Sequence, residues 1–292
     1  MTADVEAFEA QRPRLIRLAY RMLGSVAEAE DVVQDAWLRW TRTEEAVRDP
    51  AGWLVRTVSR LCIDRLRSAK VQREAYRGPW LPEPLIEELG VDPLERAEDV
   101  SVAFLLALQR LSPLERAVFL LHDVFDEDYA AIAETLGRNE AAVRQLAVRA
   151  RAHVKDSKPR FTVSEEEAAK LAAAFMAAAA QGDMAALSAV LAEDAVMMTD
   201  GGGKRIASLR PLIGREDILR LLEGISWRSG GTALWPLSFR AVRINGYPGV
   251  IMERDDGPMT VAFQPGEGGK LAAIYMVRNP DKLTRLPAIW TQ

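Results

Sequence analysis

The sequence predicts a multidomain chain: two all-α helical domains, the second built on a helix-turn-helix, followed by an α+β domain. Three observations predict it. Apolar residues recur at helical spacing from the start to about Arg73. Tyr129, Ile132, Ala133 and Leu136 then form one apolar helical face, Gly137 supplies a turn, and a further helix follows. After Asp194 the chain changes to short β-prone runs separated by turn signals.

The bulk properties fit that scheme. A chain of 292 residues suggests two or three domains, and 49% hydrophobic residues suffice for packed cores, which excludes a wholly disordered protein. One cysteine, Cys62, excludes an internal disulfide and fits a reducing compartment. Met1 to Arg14 holds no apolar signal core, and the longest apolar stretch, Leu171 to Ala180, falls short of the about 20 residues that cross a bilayer. A cytoplasmic protein with no membrane partner is expected. The net charge of −4 is unevenly spread. Arg56, Arg60, Arg65, Arg67, Lys70 and Arg73 crowd one stretch; Arg144, Arg149, Arg151, Lys155 and Lys158 crowd another. Glu83 to Asp99 between them is acidic. Local fields set partner choice, so two basic patches suit phosphate even on an acidic protein.

Taken in order, the first helix carries Phe8, Leu15, Leu18, Ala19 and Met22, and Gly24-Ser25 breaks it. The next carries Val32, Val33, Ala36, Trp37 and Trp40. Asp49-Pro50 starts a third, with Trp53, Leu54, Val58, Leu61, Ile63 and Leu66. Residues 1–74 make the first domain. Residues 75–97 make a Pro-rich linker, stiffened by Pro79, Pro82, Pro84 and Pro93. Its apolar content (Tyr76, Trp80, Leu81, Leu85, Ile86) is high for a solvated tether, so part of it should dock on a domain. The second helical domain spans residues 98–158, with a capping box at Ser112-Pro-Leu-Glu115. A third domain spans 164–283 and a tail 284–292. A capping box at Ser164 opens its Ala-rich first helix, a second helix runs to about Leu191, and an antiparallel run follows. The β-prone runs are 195–199, 239–244, 249–253, 260–264 and 272–277, with turns at Asn245-Gly246 and Asp256-Gly257.

Three constellations carry chemistry. In the helix after Gly137, Val143, Ala147, Ala150 and Val154 point inward, leaving Glu140, Arg144, Gln145, Val148, Arg149 and Arg151 outside. An apolar back and a front of forked donors is what a major-groove recognition helix needs; a helical hairpin with a solvated basic face is the plainer alternative. The helix from Trp53 to about Lys70 interleaves arginines with aromatic and apolar residues, which suits melted DNA; equally, Trp53 is core and the arginines are solvated. Glu28, Asp31 and Asp35 fall on one helix side, either facing a basic partner or facing water.

Together these resemble a known family. Ala29-Glu-Asp-Val-Val-Gln-Asp35-Ala-Trp-Leu, Asp49-Pro-Ala-Gly-Trp-Leu-Val-Arg56 and Ile63-Asp-Arg-Leu-Arg67 resemble the first helical domain of extracytoplasmic-function sigma factors. Leu111-Ser-Pro-Leu-Glu-Arg116 and residues 129–151 resemble the second. The resemblance implies that Asp31 and Asp35 face core RNA polymerase. It implies that Arg56, Arg60, Arg65, Arg67 and Lys70 handle the −10 element of promoter DNA, and that Arg144, Gln145, Arg149 and Arg151 handle the −35 element. Leu146 stands where many relatives carry a basic residue, which implies fewer or displaced −35 contacts. Trp80-Leu81-Pro82-Glu83-Pro84, Asp200-Gly201-Gly202-Gly203-Lys204 and Asn279-Pro280-Asp281-Lys282-Leu283 resemble the signatures of a subgroup with a C-terminal SnoaL-like domain, of the nuclear transport factor 2-like fold. That implies a fused regulator acting on the two sigma domains in cis.

Read from the residues alone, Gly201 to Gly203 is a tight docking loop or a plain hairpin turn. Asp281 and Lys282 bind a neighbouring domain or stay solvated, and Trp80 is the best anchor because a Trp costs most when exposed. Two basic domains on a long linker should wander apart unless a third domain holds them. The alternative for the C-terminal domain is a small-molecule sensor or an acid–base enzyme. Both histidines, His122 and His153, lie in the sigma half, and Asp194, Asp200 and Glu253 form no dyad in sequence. No catalytic residue, metal ligand or cofactor is therefore assigned, and a small-molecule ligand of the C-terminal domain stays open.

Overall fold

The computed structural model describes residues 2–43, 47–87, 101–155, 163–228 and 239–287, with the side chains of 2–4, 69–74 and 226–228 outside that set. The chain divides into two compact units. One joins Met1–Ala75 to Ala103–Lys158; the other joins Tyr76–Val102 to Pro159–Gln292.

The first unit opens with α1 (Thr2–Leu23), α2 (Val26–Thr41) and α3 (Pro50–Glu74). Phe8, Leu15, Leu18, Ala19 and Met22 of α1 are buried, as their spacing predicts, and so are Val32, Val33, Ala36 and Trp40 of α2. Gly24 takes a positive φ of 73° and Ser25 caps α2. The Asp49 carboxylate accepts the Gly52 N–H at 3.0 Å and opens α3. Trp53 lies 5.3 Å from Trp40, ring to ring, which is the core reading of that residue.

The second half of this unit is α4 (Val102–Gln109), α5 (Pro113–Phe119), a π-helical turn at Leu120–Val124, α6 (Tyr129–Leu136) and α7 (Glu140–Val154). The capping box of Ser112 and Glu115 is complete. Gly137, at φ 61°, ends α6 in the left-handed conformation, and Asn139 caps α7. The two helical domains do not stand apart. The Arg116 guanidinium donates to the carbonyls of Leu108 at 2.8 Å and Met22 at 2.5 Å. Arg14 donates to the Phe125 carbonyl at 3.2 Å and pairs with Glu127 at 3.0 Å. Direct packing between the helical domains is what the expectation of wandering domains left out.

The second unit holds α8 (Glu165–Gln181), α9 (Met184–Val190) and α10 (Arg215–Arg228) against one seven-stranded sheet. Its strands are β1 (Ile86–Glu87), β2 (Leu191–Asp200), β3 (Leu212–Ile213), β4 (Phe239–Ile244), β5 (Tyr247–Arg254), β6 (Gly257–Pro265) and β7 (Leu271–Val277), in the order β1-β4-β5-β6-β7-β2-β3. Phe175 of α8, Met197 of β2, Leu222 of α10, Phe263 of β6 and Ile274 of β7 share one buried core. The α+β class holds. Two details depart from the sequence reading: α10 is an additional helix, and β2 pairs in parallel with β7, so the sheet is mixed. Asn245 and Gly246, at φ 49° and 77°, make the expected tight turn between β4 and β5.

The linker belongs to this second unit. Its strand β1 adds antiparallel to β4, with Ile86 opposite Ile244. Asn245 fixes the register: its side-chain oxygen accepts the Leu85 N–H at 3.1 Å, and its own N–H donates to the Leu85 carbonyl at 2.9 Å. Leu81 is fully buried, whereas Trp80 is only partly so; the anchor of the linker is the leucine.

Candidate nucleic-acid interface and linker clamp

The outward face of α7 is charged, and its charges are paired. Arg144 bonds Glu140 at 2.9 Å, one helical turn back, and its guanidinium lies 4.7 Å from the Tyr129 ring centroid. His122 stacks on Tyr129 at 4.0 Å. Arg149 pairs with Glu115 at 3.0 Å. Burial pulls the Glu115 carboxyl upward, but Ser112, Arg149 and His153 outweigh it and hold the group below its ordinary range. Arg151 reaches Asp123 at 2.8 Å and the Tyr129 hydroxyl at 3.2 Å, and the Asp123 hydrogen bond raises its affinity for the proton. Gln145 and Val148 point outward between these arginines, and Val148 is 65% exposed. Leu146 is buried in the core of the helical domain. Its side chain therefore does not stand on the outward face with Arg144, Gln145 and Arg149.

On the first three helices, Asp31 and Asp35 are exposed, and Arg65 of α3 lies between them at 3.7 Å and 3.8 Å. Residues that the sequence places in two different interfaces thus form one cluster. Arg67 pairs with Asp64, one turn back, at 3.5 Å. Arg56 lies 3.6 Å from the Glu134 carboxylate. Arg60 donates to the carbonyls of Thr135 at 2.7 Å and Glu134 at 3.2 Å, which belong to the last turn of α6. The Glu134 carbonyl also accepts the Gly137 N–H at 3.3 Å, and the carbonyls of a last helical turn lack the usual donor four residues on, so a guanidinium caps them well. The side chain of Lys70 lies outside the described residues.

The three signature motifs converge on one buried carboxylate. Asp200, at the end of β2, has no exposed surface. It accepts the Tyr76 hydroxyl at 2.5 Å, the Leu81 N–H at 2.9 Å, the Gly202 N–H at 3.0 Å and the Lys282 ammonium at 2.7 Å. Lys282 also donates to the Leu81 carbonyl, and its ammonium sits 3.8 Å from the Trp80 ring centroid. Asn279 donates to the Tyr76 hydroxyl at 2.9 Å. Gly202 has φ 62°, and a Cβ there would come within 2.4 Å of the Asn279 amide, so the loop needs a glycine at this point. Lys204 and Asp281 close the outer edge at 2.6 Å. Glu83 and Leu283 are buried beside them. Tyr76 is the participant that sequence reading missed. Burial and its bond to Asp200 push its hydroxyl well above the ordinary tyrosine range, which keeps it a donor.

Behind the clamp the domain holds a cavity of about 520 Å³. Met197, Leu222, Met259 and Met276 form apolar walls, with Asp256 and Arg278 paired at 2.5 Å at its rim. The Arg278 N–H donates to the Asp200 carbonyl at 2.7 Å, so one strand end serves both cavity and clamp. Asp194 and Glu253 are exposed and do not line it. Among the described residues no group of three or more His, Cys, Asp or Glu is placed to hold a metal, and no helix is long and apolar enough to cross a membrane.

Comparison with known proteins agrees with this layout. Residues 7–71 match the model of Sigma-70 region 2, and residues 101–154 match Sigma-70, region 4. The chain is 38% identical to the ECF RNA polymerase sigma factor SigJ of Mycobacterium tuberculosis, over 97% of this chain and 94% of that one. It is 37% identical to the probable ECF RNA polymerase sigma factor SigI of the same species, over 63% of this chain and 66% of the relative. The crystal structure of M. tuberculosis SigJ superposes with a TM-score of 0.77, covering 97% of this chain and 99% of that structure.

Proposed function

The chain belongs to the extracytoplasmic-function sigma factors of RNA polymerase, and from that premise we propose that it directs promoter-specific initiation and is regulated in cis by its C-terminal domain. Asp31 and Asp35 on α2 meet core polymerase. Arg56, Arg60, Arg65, Arg67 and Lys70 on α3 handle the −10 element. Arg144, Gln145, Arg149 and Arg151 on α7 handle the −35 element with forked donors.

The observation that carries the regulatory part is the Asp200 clamp. The segment that joins the two sigma domains is not a free tether: Tyr76, Trp80 and Leu81 are tied to Asp200, Asn279 and Lys282. Whatever loosens the clamp lengthens the tether, and a linked equilibrium follows. Run-off transcription with core polymerase tests this with three proteins: the full chain, the chain ending before Asn279, and the chain ending before Ser164. Removing residues from 279 onward deletes Lys282 and Asn279 and changes output with no small molecule present. Removing the whole domain leaves β1 and Leu81 without their partners and lowers output. Equal transcription by all three rules out regulation in cis.

The cavity favours a second reading, in which the same domain senses a small molecule. Apolar walls with a few polar groups at the rim are what such sites need, and Arg278 joins the cavity to the clamp. Leu221→Trp fills the cavity from α10. It is expected to shift run-off output without lowering the melting temperature, and unchanged output removes the sensor reading.

A further inference from the structure

The outward face of α7 holds one residue that the charged contacts leave unexplained. Val148 is 65% exposed at the centre of a shallow concavity formed with Arg144, Gln145 and Arg149. A single exposed valine on an ordinary surface needs no account. Here it sits between two arginines that are held back by Glu140, Tyr129 and Glu115. Val143, Leu146, Ala147 and Ala150 already fill the inward face, so Val148 has no core to enter.

We propose that Val148 is a specificity-determining residue that packs on the C5-methyl group of a thymine in the −35 element, next to the base pair read by Gln145. The proposal rests on the reading that α7 enters the major groove there. Three physical points support it. The thymine methyl is the one apolar group that base edges present in the major groove, and apolar side chains are what read it. A β-branched side chain has one dominant rotamer in a helix, so the valine methyls stand ready without loss of freedom. Gln145 and Val148 are three residues apart on one helical side, about 5–6 Å between Cβ atoms. Successive bases rise by about 3.4 Å, so the two side chains fall on the same or neighbouring base pairs. A glutamine amide matches adenine N6 and N7. The expected target is therefore an adenine with a thymine beside it, on either strand. Arg144 and Arg149 flank the concavity with positive charge, which draws the phosphate backbone toward it.

The experiment uses holoenzyme made from the full chain and core polymerase. The preferred −35 sequence is first selected from templates randomised in that region. Each thymine of the selected sequence is then replaced singly by uracil, which removes only the methyl group, and promoter binding is measured for the parent and for Val148→Ala. Alanine is the stronger helix former, so α7 is kept. One uracil position should weaken parent binding about fourfold, the worth of one buried methyl, and should have a clearly smaller effect on Val148→Ala, whose shorter side chain leaves the methyl less covered. Parent binding that tolerates uracil at every position, or a Val148→Ala protein that keeps the parent's sensitivity, overturns the assignment of Val148 alone. A selection that yields no −35 preference overturns the groove reading of α7, and the proposal with it.

Discussion

Asp200 is a carboxylate with no solvent contact, and its charge is tolerated because Lys282 brings a second charge to 2.7 Å while three further donors fill its remaining lone pairs. Removing one member of such a pair leaves an uncompensated charge in the interior, at a cost of about 3–5 kcal/mol. Lys282→Met keeps the stem on Trp80 and removes the charge. It should raise the rate of trypsin cleavage after Arg77 by at least about a hundredfold, since cleavage follows the open population of the linker. Asp200→Asn together with Lys282→Met replaces the pair by neutral groups and should recover most of the protection. Equal cleavage of the parent and Lys282→Met would show that the pair does not hold the linker. At this scale the sequence was half legible. The motif residues announced themselves by resemblance, but that Tyr76 would give its hydroxyl to Asp200, 124 positions away, has no sequence signal. The ranking of Leu81 over Trp80 is illegible for a related reason: in a Pro-rich segment there is no periodicity to mark the leucine as core and the neighbouring tryptophan as only partly buried.

Elements were most legible where local chemistry decides them. The capping boxes at Ser112 and Ser164, the Gly137 turn and the Asn245-Gly246 hairpin are all settled within a few residues, and all formed. The α10 helix escaped notice although Ile218, Leu221, Leu222 and Ile225 recur at helical spacing; the β-prone composition on either side masked it. Pairing partners were less legible still. The parallel contact of β2 with β7 depends on where the intervening helix and hairpins carry the chain, and the addition of β1 to β4 depends on an edge that is exposed only once β4 to β7 have assembled. Leu146 shows a plainer limit: position in a motif does not give direction on a helix, and this side chain belongs to the inward row of Val143, Ala147 and Ala150.

On the largest scale the question is whether the first unit can reach a promoter as it stands. A compact unit of about 130 residues has a radius of gyration near 14 Å and spans on the order of 35 Å. The −10 and −35 elements lie about 25 base pairs apart, on the order of 85 Å at about 3.4 Å per step. If α3 and α7 read the two elements as proposed, one closed unit cannot engage both and the helical domains must part. On that reading their contacts act as a restraint: Arg56 and Arg60, proposed for the −10 element, are occupied at the end of α6. Testing that restraint through Arg60 would confound it with DNA contact. The pair of Arg14 and Glu127 is cleaner, because neither residue is proposed to touch DNA or polymerase. Both side chains are about 30% exposed, which limits such a pair to about 0.2–1 kcal/mol. Apparent affinity scales with the competent fraction, so Glu127→Lys should tighten binding to core polymerase by up to about fivefold. Arg14→Lys keeps a cation for Glu127 and a donor for the Phe125 carbonyl and should keep the affinity of the parent. If Glu127→Lys leaves the affinity unchanged, the closed arrangement of the helical domains does not compete with polymerase.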